Sequence, residues 1–178
     1  MATKKTSMFT LTDRLTIAAN ATDTRAVIDL GSYVDVGDRQ ALQIHSVDYI
    51  FQGTTADNDA WQSTTSDASV IVQVADLNRG GLVFANDRAL VASGVLAIPA
   101  NAQYHQESDL YPDNYGKGAD DGRFVVNDAL YVTGRVTGGL DTGNNATINV
   151  TVRVNASIVT LSQKDFMAIA IQSTAADN

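Results

Sequence analysis

The chain has 178 residues, of which 44% are hydrophobic, and a formal net charge of -8 at pH 7. A chain of this length builds one hydrophobic core, so we expect residues 1–178 to form a single domain. The absence of cysteine excludes disulfides and thiolate nucleophiles, and the acidity disfavours nucleic acid as a general partner because like charges repel.

The first twelve residues are predicted to form an N-terminal arm. Lys4 and Lys5 are followed by polar residues and not by an apolar run, so the segment does not have the pattern of a secretory signal. With Arg14 they make a basic segment too short to neutralise a packaged genome. No apolar stretch reaches the about 18 residues of a membrane-spanning helix. We expect an arm that touches a neighbouring molecule, with any membrane contact made through this segment and no sequence-specific nucleic-acid binding.

The dominant pattern along the chain is alternation of apolar and polar residues, broken by clusters of Gly, Asp, Asn and Thr. Alternation places successive side chains on opposite faces of a strand. It is typical of antiparallel sheets that bury one face. The pattern predicts about eight strands, so the fold class is all-β.

The clearest strand runs through Asn145–Ser157, with the sequence NATINVTVRVNAS. Its valines at 150, 152 and 154 point one way, and the polar residues Asn149, Thr151, Arg153 and Asn155 point the other. This predicts a strand whose polar face is directed outward. The chain has four triplets that match the acceptor pattern for N-linked sugars, three of them in this stretch, and about two are expected by chance. These triplets begin at Asn20, Asn145, Asn149 and Asn155. A polar strand face explains them better than glycosylation.

A second alternating segment begins at Phe124 and continues to Thr137. Between it and the Asn145–Ser157 strand lies a stretch rich in glycine and asparagine, which are residues of turns. We therefore predict that the two segments form a long antiparallel hairpin.

Other strands are predicted upstream. In Ala41–Gln52 the apolar set changes from even to odd positions, which predicts a β-bulge near His45 and Ser46. The segments Ser69–Leu77 and Arg88–Ile98 are nearly continuous in apolar residues, which predicts strands covered on both faces. Shorter candidates are Leu15–Ala19, Arg25–Leu30 and Leu82–Phe84.

Two predicted loops, residues 53–68 and 100–122, are longer than simple turns. Loops of this length in a compact domain usually make contacts or carry function. Their aromatic residues suit either an interface anchor or a sugar-stacking platform, and the interface is favoured because Trp and Tyr are enriched at protein contacts. These candidate interface residues are Trp61, Tyr104, Tyr111 and Tyr115.

The end of the chain changes to helical periodicity. Ser162 followed by Asp165 matches a capping box and predicts a helix over residues 162–173. Its apolar residues are predicted to face protein, and Phe166 and Met167 are added to the candidate interface.

The sequence contains no constellation that indicates catalysis. His45 lies in a strand pattern and His105 in a loop, and both are predicted to be structural. The acidic residues of the second long loop are interpreted as solvated charge. Asp57-Asn58-Asp59 and Asp120-Asp121 offer oxygen ligands but lack the spacing of a calcium loop. We therefore predict that the protein is not an enzyme and has no metal site and no cofactor.

The order of elements resembles that of the single jelly-roll capsid proteins of tailless icosahedral DNA viruses, including those with an internal membrane. The elements are a short arm, about eight antiparallel strands, two long loops, and a final strand that passes through Ile158 into the helix at Gln163. The resemblance implies an eight-stranded jelly roll, with two sheets packed as a sandwich, and a subunit of the virion shell. As partners it implies further copies of the chain and leaves room for other capsid proteins.

Two other classes of function remain open at this point. A carbohydrate-binding or adhesive β-sandwich would use Trp61 and the loop tyrosines as a stacking surface. A hydrolase would use carboxylates of the acidic loop, such as Asp120 and Asp121. The capsid interpretation is preferred because two long loops, an arm and a terminal helix exceed what one small sandwich needs.

Overall fold

The computed structural model describes residues 2–18, 22–53, 63–100, 106–111, 122–140 and 147–175. These ranges contain ten strands and one helix. The strands are β1 Thr3–Lys4, β2 Phe9–Ala18, β3 Thr24–Asp29, β4 Gln40–Gln52, β5 Ser63–Ala75, β6 Leu90–Ile98, β7 Gln106–Tyr111, β8 Arg123–Val125, β9 Ala129–Leu140 and β10 Thr147–Thr160, and the helix is α1 Gln163–Ala175.

The strands form two antiparallel five-stranded sheets that face each other. Sheet A has the order β2-β10-β4-β8, and β1 pairs with the end of β10 on the same side as β2. Sheet B has the order β3-β9-β5-β6-β7. The chain therefore builds an antiparallel β-sandwich.

Strand pairing in the sandwich is nested. β2 pairs with β10, β3 with β9, β4 with β8, and β5 with β6, so strands from the first half of the chain pair in reverse order with strands from the second half. This is the arrangement of an eight-stranded jelly roll. β1 and β7 are additions to it. The predicted fold class is confirmed by the pairing itself.

The predicted hairpin between the last two long strands is wrong. β9 lies in sheet B between β3 and β5, whereas β10 lies in sheet A between β2 and β4. The two strands are consecutive and both bury one alternating face, but they cover the core from opposite sides. The segment taken as one strand from Phe124 is also divided, since Arg123–Val125 is β8 of sheet A and the chain crosses to sheet B before Ala129.

The main core lies between the sheets and is built from the inward faces of the alternating strands. β5 contributes Val70, Val72 and Val74, and β10 contributes Val150, Val152 and Val154. Two glycines let the sheets approach closely. A Cβ at Gly94 would lie 2.7 Å from a ring carbon of Tyr49, and one at Gly134 would overlap side-chain atoms of Ile17 and Leu15.

The predicted bulge in β4 is confirmed. The register with β10 shifts so that Asn155 is opposite Ser46 and Ala156 is opposite Ile44, which leaves His45 as the extra residue. The shift explains why the apolar positions change from even to odd, since one inserted residue reverses the facing of all that follow.

Other predicted elements differ at their ends. The segment Leu82–Phe84 is a loop and not a strand. Residues 9–12, predicted as part of the arm, belong to β2, and the helix spans Gln163–Ala175 where residues 162–173 were predicted.

Candidate assembly surface

Helix α1 packs on the outer face of sheet A. Ser162 caps it, with its hydroxyl accepting from the Asp165 amide at 3.2 Å and donating to the Asp165 carboxylate at 2.7 Å. That second bond is the main reason why the pKa of Asp165 lies below its usual value. The capping box predicted from the sequence therefore starts the helix.

A small second hydrophobic cluster, separate from the main core, holds the helix in place. Phe166 is its largest buried side chain, with 5% of its surface exposed, and Ile169 and Ala170 pack partly buried against it. The remaining buried members are Ala41, Val126, Val159 and Leu161. Met167 was predicted to face protein, and this is wrong within the subunit because 52% of its surface is exposed.

An apolar surface remains open beside this cluster. Met167 and Ile171 are one helical turn apart and are 52% and 61% exposed, so they form one outward stripe. Val36, which lines a groove together with Met167, is 70% exposed. A groove of about 380 Å³, here called the α1 groove, is lined by Val36, Gly37, Arg39, Gln163, Phe166 and Met167.

The α1 groove lies between helix α1 on one side and a tight turn between β3 and β4 on the other. The Asp35 and Gln40 backbones exchange two hydrogen bonds, of 2.7 and 3.1 Å, and the Arg39 amide donates to the Val36 carbonyl. Arg39 has a φ of 54°, a left-handed conformation in which a non-glycine residue is uncommon. The Leu161 amide donates to the Arg39 carbonyl, so the turn is tied to the start of the helix.

The N-terminal segment is also fixed at this end of the molecule. Thr3 and Lys4 pair with Thr160 and Val159 of β10. The Ile158 amide donates to the Thr6 hydroxyl at 2.9 Å, and Ala2 packs against the second cluster. The N-terminal segment and α1 thus cover the same part of sheet A.

A second exposed apolar feature lies on the opposite side of the sandwich, at Phe84. Its side chain is 88% exposed at the tip of the β5–β6 loop. The loop is held on the outer face of sheet B, because the Gln73 side-chain amide exchanges two hydrogen bonds of 2.8 Å with the Val83 backbone. Arg79 and Asp87 form an ion pair across the loop at 3.2 Å. Phe84 is therefore presented to solvent by an ordered loop.

Two further ion pairs anchor this loop and its surroundings. Asp23 accepts a hydrogen bond from Arg135, which is the main reason why the pKa of the Asp23 carboxyl is lowered. Asp76 pairs with Arg123 at 2.9 Å and so links the end of β5 to β8. Burial outweighs the attraction of Arg123 and raises the pKa of Asp76.

The outward row of β10, on the outer face of sheet A away from the helix, is polar, as the sequence predicted. Asn155 on β10 accepts from Thr10 on β2 at 2.7 Å and donates to Ser46 on β4 at 2.9 Å. Asn149 likewise accepts from Thr16 at 2.8 Å, and it donates to a backbone carbonyl just after β4 at 2.9 Å. Both asparagines hold three strands together through side-chain amides. The amide nitrogens that a sugar would require are already engaged.

His45 is a buried structural residue, as predicted. It is 4% exposed, and its Nε2 lies 2.9 Å from the Ser157 hydroxyl, which in turn donates to the Gln43 side-chain oxygen at 3.3 Å. Ser157 and Gln43 are fully buried. A substrate has no access to this serine, so the Ser–His contact has the role of satisfying polar groups on the covered part of sheet A.

The candidate interface residues predicted from the sequence have different positions. Phe166 is buried under α1 and Met167 lines the groove, while Tyr111 ends β7 opposite Ser93. Trp61, Tyr104 and Tyr115 lie outside the described residues, as do His105 and the aspartates considered for calcium. The sequence reasoning missed Phe84 and Val36. An apolar residue between glycine- and asparagine-rich neighbours was the available signal for Phe84.

Within the ranges that the structure describes, no three side chains of the metal-binding types come together. In those ranges there is also no helix long and apolar enough to cross a membrane.

Comparison with known proteins gives matches to solved structures and none by sequence. No protein-family model matches the sequence, and no curated protein matches it. Solved structures of polyomavirus VP1 capsid proteins match over most of both chains. VP1 of Trichodysplasia spinulosa-associated polyomavirus, solved with 3'-sialyllactose, has 10% identity and a TM-score of 0.46 over 90% of this chain and 97% of that one.

Two further polyomavirus structures match to a similar degree. VP1 of Merkel cell polyomavirus, solved with GD1a oligosaccharide, has 7% identity and a TM-score of 0.47 over 90% of this chain and 98% of that chain. Apo VP1 of chimpanzee polyomavirus has 8% identity and a TM-score of 0.47 over 90% of this chain and 99% of that one.

Proposed function

We propose that this chain is a structural subunit of a viral capsid that assembles with further copies of itself. The observation that carries the proposal is the apolar surface around α1. Val36, Met167 and Ile171 are 70%, 52% and 61% exposed and lie beside a groove of about 380 Å³. Contiguous exposed apolar side chains of this kind mark interaction sites in soluble proteins.

The gain from covering this surface is large enough to drive association. Fully burying one aliphatic side chain contributes about 1.5–3 kcal/mol. Three that are half or more exposed would contribute about 3–5 kcal/mol per contact on that scale. Each contact in a closed ring or shell is repeated by symmetry, so modest contacts add up to a stable assembly.

The nested strand order is compatible with this role, since jelly rolls occur in viral capsid domains as well as in lectins. The fixed N-terminal segment and helix α1 cover one part of sheet A. In the proposed shell, the helix, the loops and this segment make the contacts between subunits, and the chain performs no catalysis.

The proposal is tested with the purified full chain. Electron microscopy and sedimentation over a range of salt and protein concentrations are expected to show rings or particles. Replacing Met167 and Ile171 together by serine is expected to raise the concentration needed for assembly at least about 30-fold, since about 2 kcal/mol or more of burial is lost. Ala168→Ser, an exposed change on the same helix, is the matched control and is expected to leave assembly unchanged.

A chain that stays monomeric under all of these conditions would refute the capsid proposal. Glycan binding by such a monomer, lost in Trp61→Ala, would favour the carbohydrate-binding alternative. Trp61 is outside the described residues, so no contact in the structure supports that alternative.

A further inference from the structure

We infer that neighbouring subunits join head to tail, with Phe84 of one copy inserted into the α1 groove of the next. The inference rests on the proposed function, since it names the two surfaces through which copies of the chain would meet. Three observations support it: the ordered presentation of Phe84, the size of the groove, and the positions of the two surfaces.

Phe84 has the properties of an interface anchor. It is 88% exposed, although aromatic side chains are normally covered in an isolated domain. The loop beneath it is fixed by the two Gln73–Val83 hydrogen bonds and by the Arg79–Asp87 ion pair. Little conformational entropy is then lost when a partner covers the ring, which favours binding.

The α1 groove has room for a phenyl ring. Its volume is about 380 Å³, whereas an apolar cavity of about 150 Å³ accommodates benzene. Val36, Phe166 and Met167 provide apolar and polarisable contacts, and methionine sulfur interacts favourably with aromatic rings. No other exposed side chain as large and as apolar as Phe84 is found in the described residues.

The two surfaces lie on opposite faces of the sandwich. Helix α1 covers outward residues of sheet A, such as Val159 and Ala41, whereas the Phe84 loop is held by the outward residue Gln73 of sheet B. In each contact, one subunit therefore contributes its Phe84 loop and its neighbour contributes its α1 groove. Such a contact is heterologous, and it closes into a ring when the rotation between copies allows it.

The charges of the two surfaces do not oppose the contact. The β5–β6 loop, residues 76–89, has two arginines and two aspartates and is neutral overall. The turn that walls the groove, residues 35–39, has two aspartates and one arginine, a net charge of -1. A neutral loop that carries an exposed aromatic residue meets no net repulsion from this turn, although the chain as a whole has a net charge of -8.

Cross-linking tests this contact directly, because the chain has no cysteine of its own. Ala85, beside Phe84, and Gln163, on the groove, are exposed and can be changed to cysteine while Phe84 and Met167 stay in place. A short bis-maleimide reagent is used, since an inserted ring holds the two backbones further apart than a disulfide spans. The full chain carrying both cysteines is expected to give a ladder of covalent multimers under assembling conditions.

Three controls make the result specific. The single variants Ala85→Cys and Gln163→Cys are expected to give no ladder. The pair Ala85→Cys and Thr12→Cys is also expected to give none, because Thr12 is exposed elsewhere on sheet A. Adding Phe84→Ala to the double variant is expected to remove the ladder. By itself Phe84→Ala is expected to raise the concentration at half-assembly at least about 30-fold, as for an interface hot spot.

The outcomes separate this inference from the proposed function. If particles or rings form but the double-cysteine chain is not cross-linked, or is cross-linked equally well without Phe84, the head-to-tail contact is refuted while the capsid proposal stands. Products that stop at dimers would show a symmetric contact and would also refute it. A chain that remains monomeric would refute both.

Discussion

Replacing Phe166 by alanine tests how helix α1 is held on the sandwich. The side chain is 5% exposed and is the largest buried member of the second cluster. Buried Phe→Ala changes cost about 3–5 kcal/mol. The cluster has five buried residues and lies at the edge of the molecule, where it can partly collapse. We therefore expect a loss of about 3 kcal/mol in the free energy of unfolding, at the low end of that range.

The measurement is urea unfolding at a concentration where the chain is a dispersed subunit, followed by circular dichroism. With a slope of about 2 kcal/mol per molar urea, the midpoint is expected to fall by about 1.5 M. Met167→Ala, the neighbouring residue, is 52% exposed and is the matched control, with an expected loss of less than about 1 kcal/mol. Equal losses for the two variants would show that Phe166 does not hold the helix, and the description of the second cluster would be wrong.

Three further outcomes are expected. The pKa of Asp23 is lowered from 3.8, mainly by the hydrogen bond from Arg135, so the stability that this carboxylate contributes is present above pH 3.8 and is lost as the pH falls through the lowered pKa. Asp23→Asn should therefore be clearly less stable than wild type in urea at pH 7, and the difference should narrow below pH 3.8. A difference independent of pH would contradict the Asp23–Arg135 ion pair. Gly138→Ala should be destabilising by several kcal/mol in thermal unfolding, because φ there is 89° and a Cβ would overlap the Asp67 carbonyl; normal stability would mean that Gly138 does not approach the Asp67 backbone this closely. Peptide mapping of protein from its natural source should find Asn155 without a sugar, because its amide nitrogen is hydrogen-bonded, and a glycan there would overturn the described strand contacts.

The faces of the strands were predictable because alternation is a local property. The outward row on β10 and the extra residue at His45 follow from which positions are apolar, and the structure places both as expected. Burial of one sheet face imposes a period of two on the sequence wherever that face lies. The capping box at Ser162 was predictable for the same reason, since its contacts are between neighbours in the chain.

The partners of the strands could not be read in this way. Alternation in β9 and β10 is the same whether the two strands pair with each other or cover one core from opposite sheets, and the glycine-rich connection suits both. The predicted hairpin failed because jelly-roll pairing joins residues far apart in sequence, such as β2 with β10. No local signal specifies such pairs.

The candidate surface was only partly predictable. Helical periodicity placed Phe166 and Met167 on one side of α1, but adjacent residues on a helix diverge by about a quarter turn. Which of them is buried depends on the position of sheet A, and the structure buries Phe166 and exposes Met167. Phe84 was expected in a short strand. Its exposure was not predictable, because the Gln73–Val83 hydrogen bonds that hold its loop outward are tertiary contacts.

By itself the sequence determined that the chain is an all-β protein with a terminal helix, without cysteine chemistry, and with polar outward rows on its strands. These features depend on composition and on residues close together in the chain. Only the tertiary structure decided the nested pairing, the position of α1 on sheet A, and the exposure of Phe84, Val36 and Met167 on opposite faces of the sandwich. Such features depend on which distant segments bury each other's apolar surface, because burial is a property of the packed molecule and not of any one segment.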